Sequence, residues 1–217
     1  YMPELIISDI MMPELSGDEL CSILKKDIDT SHIPIILLTA LNDENSIIKG
    51  IQTGADEYIV KPFNISILKA TIANLLSNRA LLRYKFSELD IEQEEKENAT
   101  TINCTTDLDW KFMANLRTHI EANMSNPDFN VDVLSSVMNM SRTSLYNQIK
   151  ALTDMAPSDY IRLIRLKKAA QLLKEDNHSL TEIAALTGFN DANYSPEGFK
   201  TQSTVSTGKS QNQKKNI

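Results

Sequence analysis

The stretch LIISDIMMP, residues 5–13, decides the fold of the first third of the chain, because a short apolar run ends there at Asp9 and a proline-containing loop follows. Two more apolar runs of strand length come later, PIILLTA at residues 34–40 and EYIVK at residues 57–61. Apolar residues at helical spacing and cap residues predict helices at 18–27, 42–50 and 64–87. Apolar strands that alternate with helices are typical of a doubly wound α/β domain with a parallel sheet.

Three polar side chains stand at the carboxyl ends of these strands: Asp9, Thr39 and Lys61. Open α/β sheets bind their ligands at this edge. A carboxylate there can attack phosphorus, while an ammonium and Mg²⁺ neutralise the phosphoryl oxygens and a hydroxyl donates to them. Each residue alone is better explained as a turn cap or a solvated side chain. The three together favour a phosphoryl-transfer site.

The local strings SDIMMP (residues 8–13), LTA (38–40) and DEYIVKPF (56–63) resemble the receiver domains of two-component response regulators. The resemblance implies a flavodoxin-like fold with Asp9 as the phosphoacceptor. It also implies that Thr39 and Tyr58 form a switch pair, that the bond between Lys61 and Pro62 is cis, and that Gly17 is the family's loop glycine.

One departure from the receiver pattern concerns the metal. The family holds Mg²⁺ with an acidic pair on a first strand that would precede Tyr1, so only Asp9 and the backbone carbonyl of Met11 would remain as ligands. Mg²⁺ requires near-octahedral oxygen coordination. We therefore expect residues 1–87 to be a truncated receiver whose first strands are missing, which is poorly stable, binds no Mg²⁺ and accepts no phosphate.

Composition divides the chain at its middle. The net charge is −7 overall, but it is −9 for residues 1–107 and +2 for residues 108–217. Glutamates cluster in residues 88–107, which predicts an acidic linker. Residues 203–217 are almost without apolar side chains and predict a disordered tail. The basic half could approach nucleic acid, whereas the acidic half could not.

Residues 108–202 show only helical patterns and predict an all-α domain. The segment NVDVLSSVMNMSR, residues 130–142, predicts a helix, a tight turn and a second helix that Ser141 caps. A similar unit follows at residues 179–191, after a long basic helix that begins at Pro157. Helical spacing turns Leu145 and Ile149 of the first unit inward. It turns outward a set of polar and cationic side chains suited to base edges and phosphates: Arg142, Thr143, Tyr146, Asn147 and Lys150.

The tandem arrangement, together with IRLIRLKKAAQLL (residues 161–173) and IAALTGF (183–189), resembles the AraC/XylS family over roughly residues 110–200. The resemblance implies that Thr143, Tyr146 and Asn147 read bases and that Arg142 and Lys150 contact phosphates. Asn193 is the corresponding candidate in the second unit.

The second recognition helix departs from that family. Pro196 and Gly198 fall inside it, and in a helix interior they cost about 3 and about 1 kcal/mol. Ser195 replaces a large apolar residue, and Glu197 would repel phosphates. Either the chain binds DNA mainly through its first unit, or the end of the sequence is altered.

The leading hypothesis is a cytoplasmic transcription regulator that binds double-stranded DNA and is controlled by phosphorylation of Asp9. Its expected partners are a histidine kinase domain as phosphodonor and a second copy of the chain, with no membrane contact by this segment. Two alternatives remain: the carboxyl-terminal part of a hybrid histidine kinase with impaired DNA binding, and a protein-interaction module. The chain itself is expected not to be an enzyme. Two groups lie outside these sites: Trp110 and Phe112 are expected in the core, and His32, His119 and His178 at the surface or as caps.

Overall fold

The computed structural model describes residues 2–40, 53–88, 106–175 and 177–189, without the side chains of residues 87 and 88. Three strands form a parallel sheet in the order β1-β2-β3, which confirms the predicted α/β class. The strands are β1 (Ile6–Asp9), β2 (Ile35–Ala40) and β3 (Glu57–Lys61). The helices are α1 (Gly17–Lys26), α2 (Ile65–Glu88), α3 (Asp107–Ala122), α4 (Val131–Val137), α5 (Arg142–Thr153), α6 (Pro157–Glu175) and α7 (Leu180–Leu186).

The two faces of the sheet are covered by different helices, as the alternation of side chains along a strand requires. Ile35 and Leu37 of β2 pack with Cys21 of α1 in one cluster. Ile36 lies on the opposite face and packs with Leu75 and other residues of α2. The central strand β2 therefore buries apolar residues on both faces, which explains its nearly continuous apolar sequence.

Side chains cap the starts of three helices, including the predicted cap Ser141. The Ser141 side chain accepts a hydrogen bond from the Ser144 amide at the start of α5. Ser179 and Glu182 form a capping box at the start of α7, and Asn130 caps α4. Each cap satisfies backbone amides that have no partner inside the helix. The predicted helix at residues 42–50 and the predicted linker and tail lie outside the described residues, apart from the ends of the linker.

The chain divides into two compact units. The first contains the sheet, the start of α3 through Leu116, and α5 within Met140–Pro157. The second contains the rest of α3 from Arg117, α4, α6 from Ser158 onward, and α7. The helix α5, whose exposed side is predicted to contact DNA, thus belongs to the same unit as the sheet. Within the described residues, no helix is both long enough and apolar enough to cross a membrane.

Candidate functional site

The carboxyl edge of the sheet brings Asp9 and Lys61 together. The Lys61 ammonium donates to Oδ2 of Asp9 in an ion pair, and the Met11 amide donates to Oδ1 at 3.3 Å. The hydrogen bond from Lys61 is the largest of several effects that hold the pKa of the Asp9 carboxyl below its usual range. Asp9 is therefore a partly exposed, ionised carboxylate at neutral pH. That is the state a nucleophilic carboxylate needs.

Gly17, at the start of α1, packs closely against the backbone at Asp9 and Ile10. The Gly17 amide donates to the Ile10 carbonyl at 2.9 Å, and a Cβ at this position would lie 2.2 Å from the Asp9 carbonyl oxygen. Any larger residue would push the loop away from α1. The close approach gives a physical reason for a glycine here, and the peptide bond between Lys61 and Pro62 is cis, as the receiver resemblance implies.

Of the expected switch pair, Thr39 lies near this edge and Tyr58 lies near the start of β3, and each hydroxyl has another partner. The Thr39 side chain is buried and its hydroxyl donates to the Ala40 carbonyl at 3.4 Å. The Tyr58 hydroxyl is hydrogen-bonded to the Thr53 hydroxyl at 3.1 Å, and its ring packs on the cluster of Cys21, Ile35 and Leu37. Burial raises the pKa of Tyr58, so its phenol stays protonated.

The described residues alone do not fit a Mg²⁺ ion. Asp9 supplies one carboxylate, and both of its oxygens already accept hydrogen bonds from Lys61 and Met11. Within the described part of the chain, no group of three or more His, Cys, Asp or Glu side chains is placed to hold a metal. Receiver domains generally use Mg²⁺, and in this chain Asp9 and the Met11 carbonyl are the donors that could contribute to such a site.

A second Asp–Lys pair, which the sequence analysis did not single out, lies inside the same unit. Lys25 Nζ is 2.7 Å from Oδ2 of Asp56, and the same oxygen accepts the Ile35 amide at 2.7 Å. Lys25 also donates to the carbonyl oxygens of Ile33 at 3.0 Å and Ser31 at 3.4 Å. Both side chains are buried. This pair fixes the start of β2 from within the core.

The outer face of α5 carries the five predicted DNA contacts. Leu145 and Ile149 are fully buried, which confirms the inward face of the helix. The remaining face is solvent-exposed over about two turns, and Tyr146 is 46% exposed. The exposed residues are Arg142, Thr143, Tyr146, Asn147 and Lys150.

Next to that exposed face, α5 also has a buried polar side. Gln148 is fully buried, and its Nε2 donates to Oδ1 of Asp109 at 3.0 Å while its Oε1 is 3.1 Å from Nδ1 of His32. The expectation that His32 lies at the surface is therefore wrong: it is 4% exposed. Burial is the main cause that lowers its pKa to about 4, and the nearby Arg79 charge adds to the effect. The burial of His32 and its contact with Gln148 become apparent only from the tertiary structure.

Trp110 and Phe112 have the packing roles expected of them. Phe112 is buried, and Trp110 packs on the cluster of Ile36, Ile59, Leu75 and Leu82.

The second unit is built around α6, where Arg165 Nη2 donates to the Asn126 carbonyl at 2.7 Å. The predicted second recognition helix, with Asn193, Pro196 and Gly198, lies outside the described residues.

In comparisons with known proteins, two different families match two separate segments of the chain. Residues 1–73 match the sequence profile of the response regulator receiver domain, and residues 134–209 match that of a helix-turn-helix domain. A relative named "Histidine kinase P4" from Formosa agariphila is 40% identical over 200 residues, which are 92% of this chain and 14% of that protein. The phosphate regulon transcriptional regulatory protein PhoB of Rhizobium meliloti is 41% identical over 97 residues, covering 42% of this chain and 43% of that protein.

Among solved structures, the signal receiver domain of a signal transduction histidine kinase from Syntrophus aciditrophicus is 43% identical with a TM-score of 0.34, covering 36% of this chain and 58% of that one. The chain spans less than half the length of the two curated relatives described above. The chain belongs to the two-component regulatory proteins, with a response regulator receiver segment followed by an AraC-type helix-turn-helix segment.

Proposed function

We propose that this chain is the output part of a phosphorelay: a DNA-binding transcription regulator in which Asp9 is the phosphoacceptor and α5 reads DNA. The observation that carries the proposal is the exposed polar face of α5, which presents two cations, an amide and two hydroxyl groups on one side of a capped helix. Polar donors beside cations suit a helix that reaches base edges and the flanking phosphates in the major groove.

The receiver segment supports the control step of the proposal. The ionised Asp9 carboxylate would attack the phosphorus of a phosphohistidine in a kinase domain; the P–N bond breaks and the Asp9 O–P bond forms. The imidazole, already protonated on its other ring nitrogen, leaves as the neutral ring. Lys61, already paired with Asp9, would then neutralise the phosphoryl oxygens. Transfer to Asp9 needs the complete Mg²⁺ ligand set, which the described residues do not supply. We therefore expect the described residues by themselves not to support phosphate transfer to Asp9.

We further propose that the whole protein is a hybrid histidine kinase that acts in the cytoplasm as a homodimer. Support for the hybrid comes from the relative named as a histidine kinase, whose matching part covers 92% of this chain and therefore both segments in the same order. In this proposal the chain is not itself an enzyme, and the residues 1–87, 88–107, 108–202 and 203–217 serve as receiver, linker, DNA-binding domain and tail. A free-standing regulator is the alternative that the match to PhoB favours.

The DNA-binding proposal is tested by titrating the full chain against random duplex DNA at two salt concentrations. Wild-type affinity should fall steeply as salt rises, because bound phosphates release counterions. Arg142→Ala should weaken binding about tenfold on all sequences and reduce the salt slope by about one. Lys69→Ala removes one exposed charge from α2 and is the matched control, which should bind like the wild type.

Two outcomes would contradict the proposal. No binding at low salt would exclude DNA as the partner of this chain and leave the protein-interaction module as the remaining function. Equal losses for Arg142→Ala and Lys69→Ala would show that binding is electrostatic but does not use α5.

A further inference from the structure

The first unit contains a contact between the receiver-like part and α5 that neither family resemblance predicts. We define the docking segment as residues 29–32, which lie between α1 and β2. From this segment, Ser31 Oγ donates to Oδ1 of Asp109 at 2.8 Å and His32 Nδ1 is 3.1 Å from Oε1 of Gln148. Ser144 Oγ donates to Asp29. Three of its four side chains thus bond to α3 or α5.

Asp109 is the centre of this contact. It is fully buried, and its two oxygens accept four hydrogen bonds. Ser31 and Gln148 each donate to Oδ1, and the backbone amide and hydroxyl of Thr106 each donate to Oδ2 at 3.0 Å. A buried carboxylate is tolerated only when its acceptor sites are filled, so each donor matters to the stability of the whole contact.

The docking segment is also fixed from the receiver side. The buried Lys25 ammonium donates to the carbonyl oxygens of Ser31 and Ile33 and pairs with Asp56. Main-chain atoms of the segment therefore bond to the receiver core while its side chains bond to α3 and α5.

The carboxyl-terminal half of α2 makes a second connection, through Arg83 to α5 and through Phe86 to α3. Arg83 Nε donates to the Ala151 carbonyl at 2.9 Å, and the Phe86 ring packs edge-on against Trp110 with centroids 4.8 Å apart. The 24 residues of α2 span about 36 Å and begin four residues after Lys61. One rigid helix therefore connects the phosphoacceptor edge of the sheet with α5.

The contact does not cover the face of α5 that is proposed to read DNA. Ser144, Gln148 and Ala151 meet the receiver-like part, whereas Thr143, Tyr146 and Asn147 remain exposed. Residues 144, 148 and 151 follow the spacing of one helical stripe, and residues 143, 146, 147 and 150 follow the neighbouring stripe. Docking and DNA contact are thus geometrically compatible.

We propose that the docking segment and the end of α2 form an intramolecular docking surface that positions α5 without covering its DNA-reading face. The receiver segment then acts on the recognition helix by holding it in place, and Ser31, His32 and Arg83 are positioning residues. This inference rests on the proposed function only for the role of α5 in DNA binding.

The test is amide hydrogen exchange on the full chain without DNA. Ser31→Ala removes one donor to Asp109, and Arg83→Ala removes the bond to Ala151 from a different element. Ser77→Ala, on the exposed side of α2, is the matched control. In both docking variants the exchange rate of the α5 amides should rise at least about tenfold, because local opening of α5 then has fewer contacts to break. The β2 amides should keep wild-type protection.

Unchanged α5 exchange in both variants would overturn the proposal. So would equal loss of protection in α5 and β2 in both variants, because the effect would then be global. If Ser31→Ala also raises amide exchange in β2 and Arg83→Ala does not, the exchange of the α5 amides in Arg83→Ala decides whether the proposal holds. DNA affinity measured on the same proteins separates the two ideas: freed α5 amides in a chain that never binds DNA would support docking and contradict the proposed function.

Discussion

Two Asp–Lys pairs lie in the same sheet-containing unit. They contain the same functional groups but differ in position, in exposure and in their other hydrogen-bond partners. Asp9 and Lys61 meet at the carboxyl edge of the sheet with side chains 37% and 41% exposed. Asp56 and Lys25 meet near the opposite end of β2 with side chains 4% and 8% exposed. The first pair has room for an incoming phosphoryl group, whereas the second is surrounded by backbone groups that it also binds.

The difference shows how burial assigns a role to the same two functional groups. An exposed pair is screened by water and contributes little to folding, so its residues are available for chemistry. A buried pair must keep both partners, since either charge alone would remain desolvated without compensation. Asp9 and Lys61 are therefore candidates for function, and Asp56 and Lys25 for structure. The first two predictions below test the two sides of this contrast.

The largest expected effect follows from removing one member of the buried pair. Asp56→Ala leaves the Lys25 ammonium buried without its carboxylate and the Ile35 amide without its acceptor. The free energy of unfolding should fall by about 3–5 kcal/mol, measured by urea denaturation of the full chain.

The matched substitution at the exposed pair is Asp9→Ala, which should leave the unfolding midpoint unchanged within error. Similar decreases in the free energy of unfolding for the two variants would contradict this contrast, because the Asp9–Lys61 pair would then be structural as well.

A smaller effect is expected from pH acting on His32. Its folded-state pKa of about 4 lies below the ordinary value of 6.5, so between these values the unfolded chain binds a proton that the folded chain does not. The stability contribution is complete above pH 6.5 and is lost as pH falls toward 4. Between about pH 7 and about pH 5 the loss should be about 2 kcal/mol. Arg79 and Arg83 of α2 and Asp109 of α3 are the charged groups that face the ring, and Gln148 of α5 binds it.

Urea denaturation at the two pH values, for the wild type and for His32→Gln, checks this prediction. The glutamine variant keeps a polar side chain but cannot titrate, so its stability should change less over the same range. An equal pH dependence in both proteins would show that His32 does not titrate as its buried position requires.

The sequence predicted the exposed pair and the order of elements because that information is local. Asp9 ends an apolar run, Lys61 precedes a proline, and Ser141 and Ser179 begin helices with the capping residues that short-range rules identify. For the elements that the structure describes, the predicted strand and helix bounds agree to within about two residues, which is the usual uncertainty of helix ends.

The docking contact could not be predicted in the same way. Lys25 and Asp56 are 31 positions apart, Ser31 and Asp109 are 78 apart, and His32 and Gln148 are 116 apart. No periodicity or motif links such distant polar residues, and a single histidine in a loop has the same local pattern whether it is buried or exposed. A buried polar network becomes visible only when the tertiary contacts are known.

The measurement that tests the central claim most directly is operator selection followed by comparison of two variants of α5. The full chain selects a preferred duplex from a random pool, and affinities are then measured for that duplex and its single-base changes. Asn147→Ala should weaken binding about tenfold to the preferred duplex and lose discrimination at one position, whereas Arg142→Ala should weaken binding to all duplexes alike. If Asn147→Ala keeps the full discrimination of the wild type, α5 is not the helix that reads DNA, and the account of this chain as a receiver-positioned DNA reader is contradicted.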